Sequence, residues 1–234
     1  LGREFLVGEL EQEVERLQAG QRFPLAVGEK RLRVEILDEP PGGGDREAAV
    51  GGIAQHGEEA ARNLGRRLQN IPFAHVLTSP LKRARQTCAL ARLDATSNIE
   101  PDLAEWDNGD DEGRTTADIL KSRPNWNLFR DGSPHGESPA QISARVDRLV
   151  IRLRALDGNV ALFSHSHFGR VLAARWIGLP VEQAQLFLLS TASLSILAYE
   201  HNLPEAPAIV LWNAFSNETR QLDAFTSREM DGTP

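Results

Sequence analysis

Residues 159–170 read N-V-A-L-F-S-H-S-H-F-G-R, and the break in the middle of this stretch decides how the rest of the chain is read. Val160, Ala161, Leu162 and Phe163 form a short apolar run with the content of a buried strand. The run stops at four polar residues, Ser164, His165, Ser166 and His167. Beyond them Phe168, Val171, Leu172, Trp176 and Ile177 recur near helical spacing, so the sequence predicts a strand-to-helix junction carrying two histidines. Backbone N–H groups and the helix dipole favour an anion at such a junction. A histidine there can equally well complete the hydrogen bonding of a strand end, so this stretch alone leaves both readings open.

Outward from the junction, helical and strand patterns alternate over residues 53–213, which predicts an α/β domain with a largely parallel sheet. Residues 58–69 are amphipathic around Ala60, Leu64 and Leu68, and residues 75–77 read as a brief strand. Ser79 as N-cap and Pro80 as first helical residue predict a helix over 80–93. Ser138 and Pro139 repeat that start signal before a long helix through Leu156, stopped by Asp157-Gly158. Residues 194–199 and 209–212 supply two more strands. Upstream, residues 1–20 read as a charged helix with Phe5, Val7, Leu10, Val14 and Leu17 on one side. Residues 23–37 alternate apolar and polar positions as a strand does, and the Pro/Gly-rich stretch 38–52 reads as a linker. The expected organisation is an N-terminal segment 1–52, a domain 53–213 and a polar tail 214–234.

Composition narrows the function. With 234 residues, 41% hydrophobic and 25% charged, the chain can bury a sizeable core. Its 33 acidic residues outweigh 26 basic ones for a net charge of −7, which argues against a nucleic-acid surface and requires any anionic ligand to meet locally placed arginines. One cysteine, Cys88, excludes an internal disulfide and a cysteine-rich metal site, and suits a cytoplasmic location. No apolar run is long enough for a membrane span. The first residue is Leu1, and residues 1–20 lack the apolar core of a signal peptide, so the start reads as truncated or derived.

A second motif meets the first. Residues 78–87, T-S-P-L-K-R-A-R-Q-T, follow a short strand and open a helix, which places a hydroxyl, exposed N–H groups and several cations at one sheet end. Lys82, Arg83 and Arg85 cannot all face one way on a helix. One arginine is expected to aim at a ligand while the others meet solvent, although a wholly solvated basic face is the usual fate of such runs.

The motif Ser79-Pro80-Leu81-Lys82-Arg83-Ala84-Arg85-Gln86-Thr87 is followed in order by Leu103-Ala104-Glu105-Trp106-Asp107, Gly109, Glu112-Gly113 and Ser164-His165. Together these resemble the histidine phosphatase superfamily, with the phosphoglycerate-mutase-like fold, a three-layer α/β/α arrangement. His167-Phe168 and Arg170-Val171-Leu172 are most similar to the subgroup related to sedoheptulose bisphosphatases. The resemblance implies a phosphatase of small sugar phosphates that needs neither metal nor cofactor, with no nucleic-acid or membrane partner. It implies that Arg83 clamps phosphoryl oxygens with Ser79 and Ser166 alongside, that Glu105 protonates the leaving alcohol, and that His165, as an imidazolium, stabilises the transferring group. These roles suit a planar guanidinium, a partly desolvated carboxyl and an imidazole.

The chain also departs from that pattern. The family's nucleophile is a histidine in Arg-His-Gly at the end of its first strand, and this chain has no histidine before His56. His56 in Gln55-His56-Gly57-Glu58 matches a later segment, where a glycine opens the first helix. Ser166 replaces a usual glycine, and Asn108 and Asp111 replace usual aromatics. His135 is a further candidate for the pocket lining. Asp110, Asp111 and Glu112 add negative charge that disfavours a highly anionic substrate unless they turn outward. Three readings stand: a phosphomonoester hydrolase impaired by loss of its nucleophile, a non-catalytic pseudophosphatase that binds a phosphorylated ligand, or a structural or interaction protein with an incidental basic helix, which leaves the ordered motifs unexplained. The oligomeric state is not readable from the sequence.

Overall fold

A computed structural model describes residues 34–36, 55–200 and 203–214, with the backbone alone at 34–36 and 55–56. The helix expected at 1–20, the linker at 38–52 and the tail beyond 214 lie outside the described residues. Strands β1 (Val34–Ile36), β2 (Phe73–Thr78), β3 (Ser97–Ile99), β4 (Asn159–Phe163), β5 (Ser193–Tyr199) and β6 (Pro207–Ala214) form one sheet in the order β3-β2-β4-β1-β5-β6. The β3-β2-β4-β1 portion is parallel, and β5 runs antiparallel to both β1 and β6. The helices are α1 (Gln55–Leu68), α2 (Lys82–Leu90), α3 (Thr116–Ser122), α4 (Leu128–Asp131), α5 (Pro139–Ala155) and α6 (Ser166–Trp176).

The side-chain alternation of β4 explains the layering. All five of its residues are buried. Val160 and Leu162 join a core with Ile142, Val146 and Leu149 of α5 and Phe168, Val171 and Leu172 of α6. Ala161 and Phe163 join another with Leu64 and Leu68 of α1 and Ala84 and Cys88 of α2. Successive strand residues point to opposite faces, so the sheet is covered on both sides and the fold is three-layered α/β/α. Each large apolar side chain taken fully out of water there contributes about 1.5–3 kcal/mol.

Most predicted elements are present, with instructive shifts. α5 begins as expected: Ser138 accepts from the Gln141 amide, Gln141 reaches back to the Ser138 amide, and Pro139 follows. It stops before Gly158, whose φ of +82° and close approach to Ala74 Cβ admit no side chain without strain. By contrast α2 starts at Lys82 with Leu81 in the N-cap position, not at Pro80 after Ser79. The reason is that Ser79 is still held by the sheet. Its N–H donates to Phe163 O at 2.8 Å and its Oγ accepts from the Leu81 amide at 3.2 Å, so the chain must turn before helix can form. The strand expected in 23–37 is described over Val34–Ile36 and lies in the middle of the sheet, with Glu35 opposite Phe163. The sheet therefore extends beyond residues 53–213. The edge strand β3 and helices α3 and α4 carry no periodic signal strong enough to have been foreseen.

Because β1, β2 and β4 are parallel, their C-terminal ends share one edge. That edge is where ligands of open parallel α/β sheets bind, and it carries Ser79 and Ser164-His165.

Candidate active site

Ser79 follows β2 and His165 follows β4, and both are fully buried. Their contact is short: His165 Nε2 lies 2.7 Å from Ser79 Oγ. From the second residue of α2, Arg83 Nε donates to His165 Nδ1 at 3.1 Å. Since Nδ1 accepts, the proton of the neutral ring sits on Nε2 and is donated to Ser79 Oγ. Burial, reinforced by the charges of Arg83 and Arg145, holds His165 well below the usual imidazole range. The ring is thus neutral in this arrangement, whereas the resemblance suggested an imidazolium. The basic run divides as expected: Arg83 is half-buried at the site, while Lys82 and Arg85 are exposed.

Glu105 occupies the place expected for a bound anion at the start of α6. Its Oε1 accepts from the amides of Trp106 at 2.8 Å and Phe168 at 2.9 Å, and its Oε2 receives only a longer contact from the His167 amide at 3.4 Å. The helix-end amides assigned to phosphate by the sequence are therefore engaged by a carboxyl of the chain itself, since a side chain tethered next to a helix N-terminus reaches it first. Burial raises the Glu105 pKa against the lowering effect of these amides and of Arg83. Ser166, the first residue of α6, donates its hydroxyl to Leu189 O at 3.2 Å. The structure thus gathers Ser79, Arg83, Glu105 and His165, and ties Ser166 to the neighbouring chain.

His167 connects this centre to a cleft. Its Nδ1 lies 3.9 Å from Glu105 Oε2, its ring meets Phe129 edge-on at 5.9 Å, and it lines a cavity of about 230 Å³ with Asn108, Asp111, Phe129 and Arg170 among others. Arg170 stacks 4.5 Å from the Phe129 ring centroid and donates to the carbonyls of Ala184 and Gln185. Desolvation lowers its pKa to about 10, against the opposing charge of Glu105. The acidic run does not load the cleft with charge. Asp111 is buried and ion-paired to Arg114 and Arg123, while Asp110 and Glu112 are exposed. His135 is exposed and bonds Asp110 Oδ2 at 2.9 Å, outside the cavity lining. The loop closes because Gly109 and Gly136 touch, backbone against backbone, where a Cβ on Gly136 would stand 2.4 Å from Asp107 O. His56 falls at the start of α1, and its side chain lies outside the described residues.

The sequence did not single out Glu137 and Arg145, which brace the Glu105 segment. The available signal was a charged residue on an apolar face: Arg145 lies on the same side of α5 as Ile142 and Leu149. Among the described residues no group of His, Cys, Asp or Glu could hold a metal ion, and no helix is long and apolar enough to cross a membrane.

A model of the histidine phosphatase superfamily (branch 1) matches residues 52–214. An acid phosphatase of Mycobacterium tuberculosis is 38% identical over 58% of this chain and 68% of its own length. Sedoheptulose 1,7-bisphosphatase of Saccharomyces cerevisiae is 28% identical over 70% of this chain and 82% of its own. Among solved structures, that of an open reading frame of Mycobacterium tuberculosis superposes with a TM-score of 0.72 at 30% identity, over 80% of this chain and 99% of that one.

Proposed function

This chain belongs to the histidine phosphatase superfamily, and from that premise we propose that its site binds the phosphoryl group of a small sugar phosphate and, in the residues given, is impaired in turnover. The observation that carries the reading is the convergence of Arg83 and Ser79 on His165, at 3.1 and 2.7 Å, at the C-terminal edge of the parallel strands. Arg83 supplies the planar fork that matches phosphoryl oxygens. A phosphoryl dianion arriving beside His165 adds negative charge and draws the neutral ring towards its protonated form, which then stabilises the transferring group. Glu105 is the proton donor. With Oε1 committed to two amides, Oε2 carries the proton that passes to the leaving alcohol as its P–O bond breaks. The cavity beside His167 accommodates that alcohol, and its size suits a small metabolite.

Covalent phosphoryl transfer also needs a nucleophile, and residues 1–55 contain no histidine. His56 stands just before Glu58 and Glu59 at a helix start, where a phosphoryl group is repelled. The missing histidine favours a second reading, a pseudophosphatase that retains ligand binding alone. A cytoplasmic location is part of the same proposal.

Calorimetry with orthovanadate tests the clamp. Losing charge-assisted hydrogen bonds worth about 1.5–3 kcal/mol should weaken binding about 10- to 100-fold in Arg83→Ala. Equal affinity in the two proteins would reduce the basic run to a solvated face. Hydrolysis of p-nitrophenyl phosphate should stay at background in the intact chain and in His56→Ala. Robust turnover that disappears in His56→Ala, with phosphohistidine trapped at that position, would overturn the impairment.

A further inference from the structure

The segment that presents Glu105 has one short 3-10 turn, Pro101–Leu103, and is otherwise irregular, yet its carbonyls are almost all engaged. Arg145 Nη1 donates to Asp102 O and to Ala104 O, each at 2.8 Å, and Nη2 reaches Glu105 O at 3.4 Å. Ser164 Oγ donates to Leu103 O at 2.7 Å, and the Glu137 amide to Asp107 O at 2.9 Å. The indole of Trp106 donates to Glu137 O at 2.7 Å. Arg145 is itself aimed by Glu137, which receives Nε at 2.8 Å and Nη2 at 2.6 Å in a bidentate pair. Phe168 lies under the guanidinium at 5.1 Å. Both members are largely out of solvent, 13% and 15% exposed, so the pair is shielded from screening and rigidly placed.

We infer that Arg145, oriented by Glu137, is a positioning residue for Glu105: a buried clamp from α5 that sets where the carboxyl stands at the start of α6. The inference rests on Glu105 as the proton donor of the site. The carbonyls that Arg145 takes lie in a half-buried segment, and neither the sheet nor the short 3-10 turn Pro101–Leu103 supplies them a partner. A lysine cannot reproduce the arrangement, because one ammonium lacks the planar fork that meets a carboxylate on one side and carbonyls on the other. With the clamp gone the segment relaxes, water reaches Glu105, and the carboxyl leaves the amides of Trp106 and Phe168.

Titration of Glu105 by carboxyl-detected NMR tests this in the intact chain and does not depend on turnover, so it can fail while the proposed function stands. The charged and titratable groups facing Glu105 are Arg83 from α2 and His167 and Arg170 from α6, and none is altered by the variants. In Arg145→Lys the Glu105 midpoint should fall back towards the ordinary carboxylate value of 4.5. The Trp106 and Phe168 amide shifts should cease to follow it. Adding guanidinium to Arg145→Ala should restore both signals in part. Glu137→Gln, which keeps the volume and weakens only the aim of Arg145, should lie between the two and serves if the Arg145 variants fail to fold. A folded Arg145→Lys or Glu137→Gln protein with lowered melting temperature but unchanged Glu105 titration would overturn the inference and leave the pair as a structural brace alone.

Discussion

Glu105 and Asp111 stand on one loop, both with side chains largely shut off from water, at 13% and 2% exposure. Their ionisation is driven in opposite directions. Burial pushes each carboxyl up, and at Glu105 burial prevails, because its nearest donors are uncharged backbone amides and Arg83 acts without a direct bond. At Asp111 the same penalty is more than offset by the hydrogen bond from Arg123 and by the charges of Arg123 and Arg114. The partner, and not the depth, decides which way each carboxyl is shifted. One stretch of the loop therefore carries a carboxyl biased towards its protonated form, while the next is a neutralised ion cluster in the cleft wall. This also revises the expectation that the acidic run repels an anionic substrate, since its one buried member carries two arginines.

The largest expected effect removes Asp111's principal partner. Arg123→Ala leaves a buried carboxylate with Arg114 as its remaining ion-pair partner and should lower stability by about 3 kcal/mol, read from urea denaturation at neutral pH. A loss below about 0.5 kcal/mol would mean that Asp111 does not depend on the pair and that the contrast with Glu105 has another origin.

A smaller effect separates the two carboxyls by pH. Asp111 has a folded pKa below its reference of 3.8, so its contribution is fully present above that reference and is lost as pH falls through the depressed folded value. Glu105 has a folded pKa above its reference of 4.5, so the folded state binds the proton more tightly and stability declines as pH rises from there through the folded value. Glu105→Gln keeps an oxygen for the Trp106 and Phe168 amides but cannot ionise. Its unfolding midpoint should be flatter than the parent's between mildly acidic and neutral pH, with the acid limb unchanged. A parallel pair of profiles would show that Glu105 is not perturbed by burial.

How much of this was legible depends on the reach of the contacts. Ser79, Arg83 and His165 were foreseen at one edge because strand ends and helix starts are local patterns, and parallel strands bring such ends together. The resemblance supplied Glu105. Its engagement of the α6 amides was not readable, since Glu105 and Phe168 are joined only by the fold. Arg145 likewise reaches Asp102 and Ala104 across 43 and 41 residues. The central place of Val34–Ile36 is likewise a matter of pairing, which alternation cannot specify. Helix starts failed where the sheet still held the chain, as at Ser79.

The smallest expected effect sharpens the contrast within the Asp111 cluster itself. Arg114 also donates to Asp111, at 2.9 Å, but its side chain is 38% exposed, and its other contacts are Asp118 O at 3.2 Å and Ser122 Oγ at 3.5 Å on the surface. Water replaces a partly exposed guanidinium cheaply when only surface contacts hold it, and the pair is screened by salt. Arg123 is the less exposed partner at 31% and adds a cation-π contact with Trp126 at 5.2 Å, which anchors it. Arg114→Ala should therefore lower stability by only about 0.5–1 kcal/mol, with most of that loss disappearing at about 1 M salt, where charges are screened beyond about 3 Å. Urea midpoints of Arg114→Ala and Arg123→Ala at low and high salt test the ranking directly. Equal losses for the two would make the arginines interchangeable. Asp111 would then be held by net positive charge in its surroundings and not by one specific bond, and the difference from Glu105 would be the number of nearby cations.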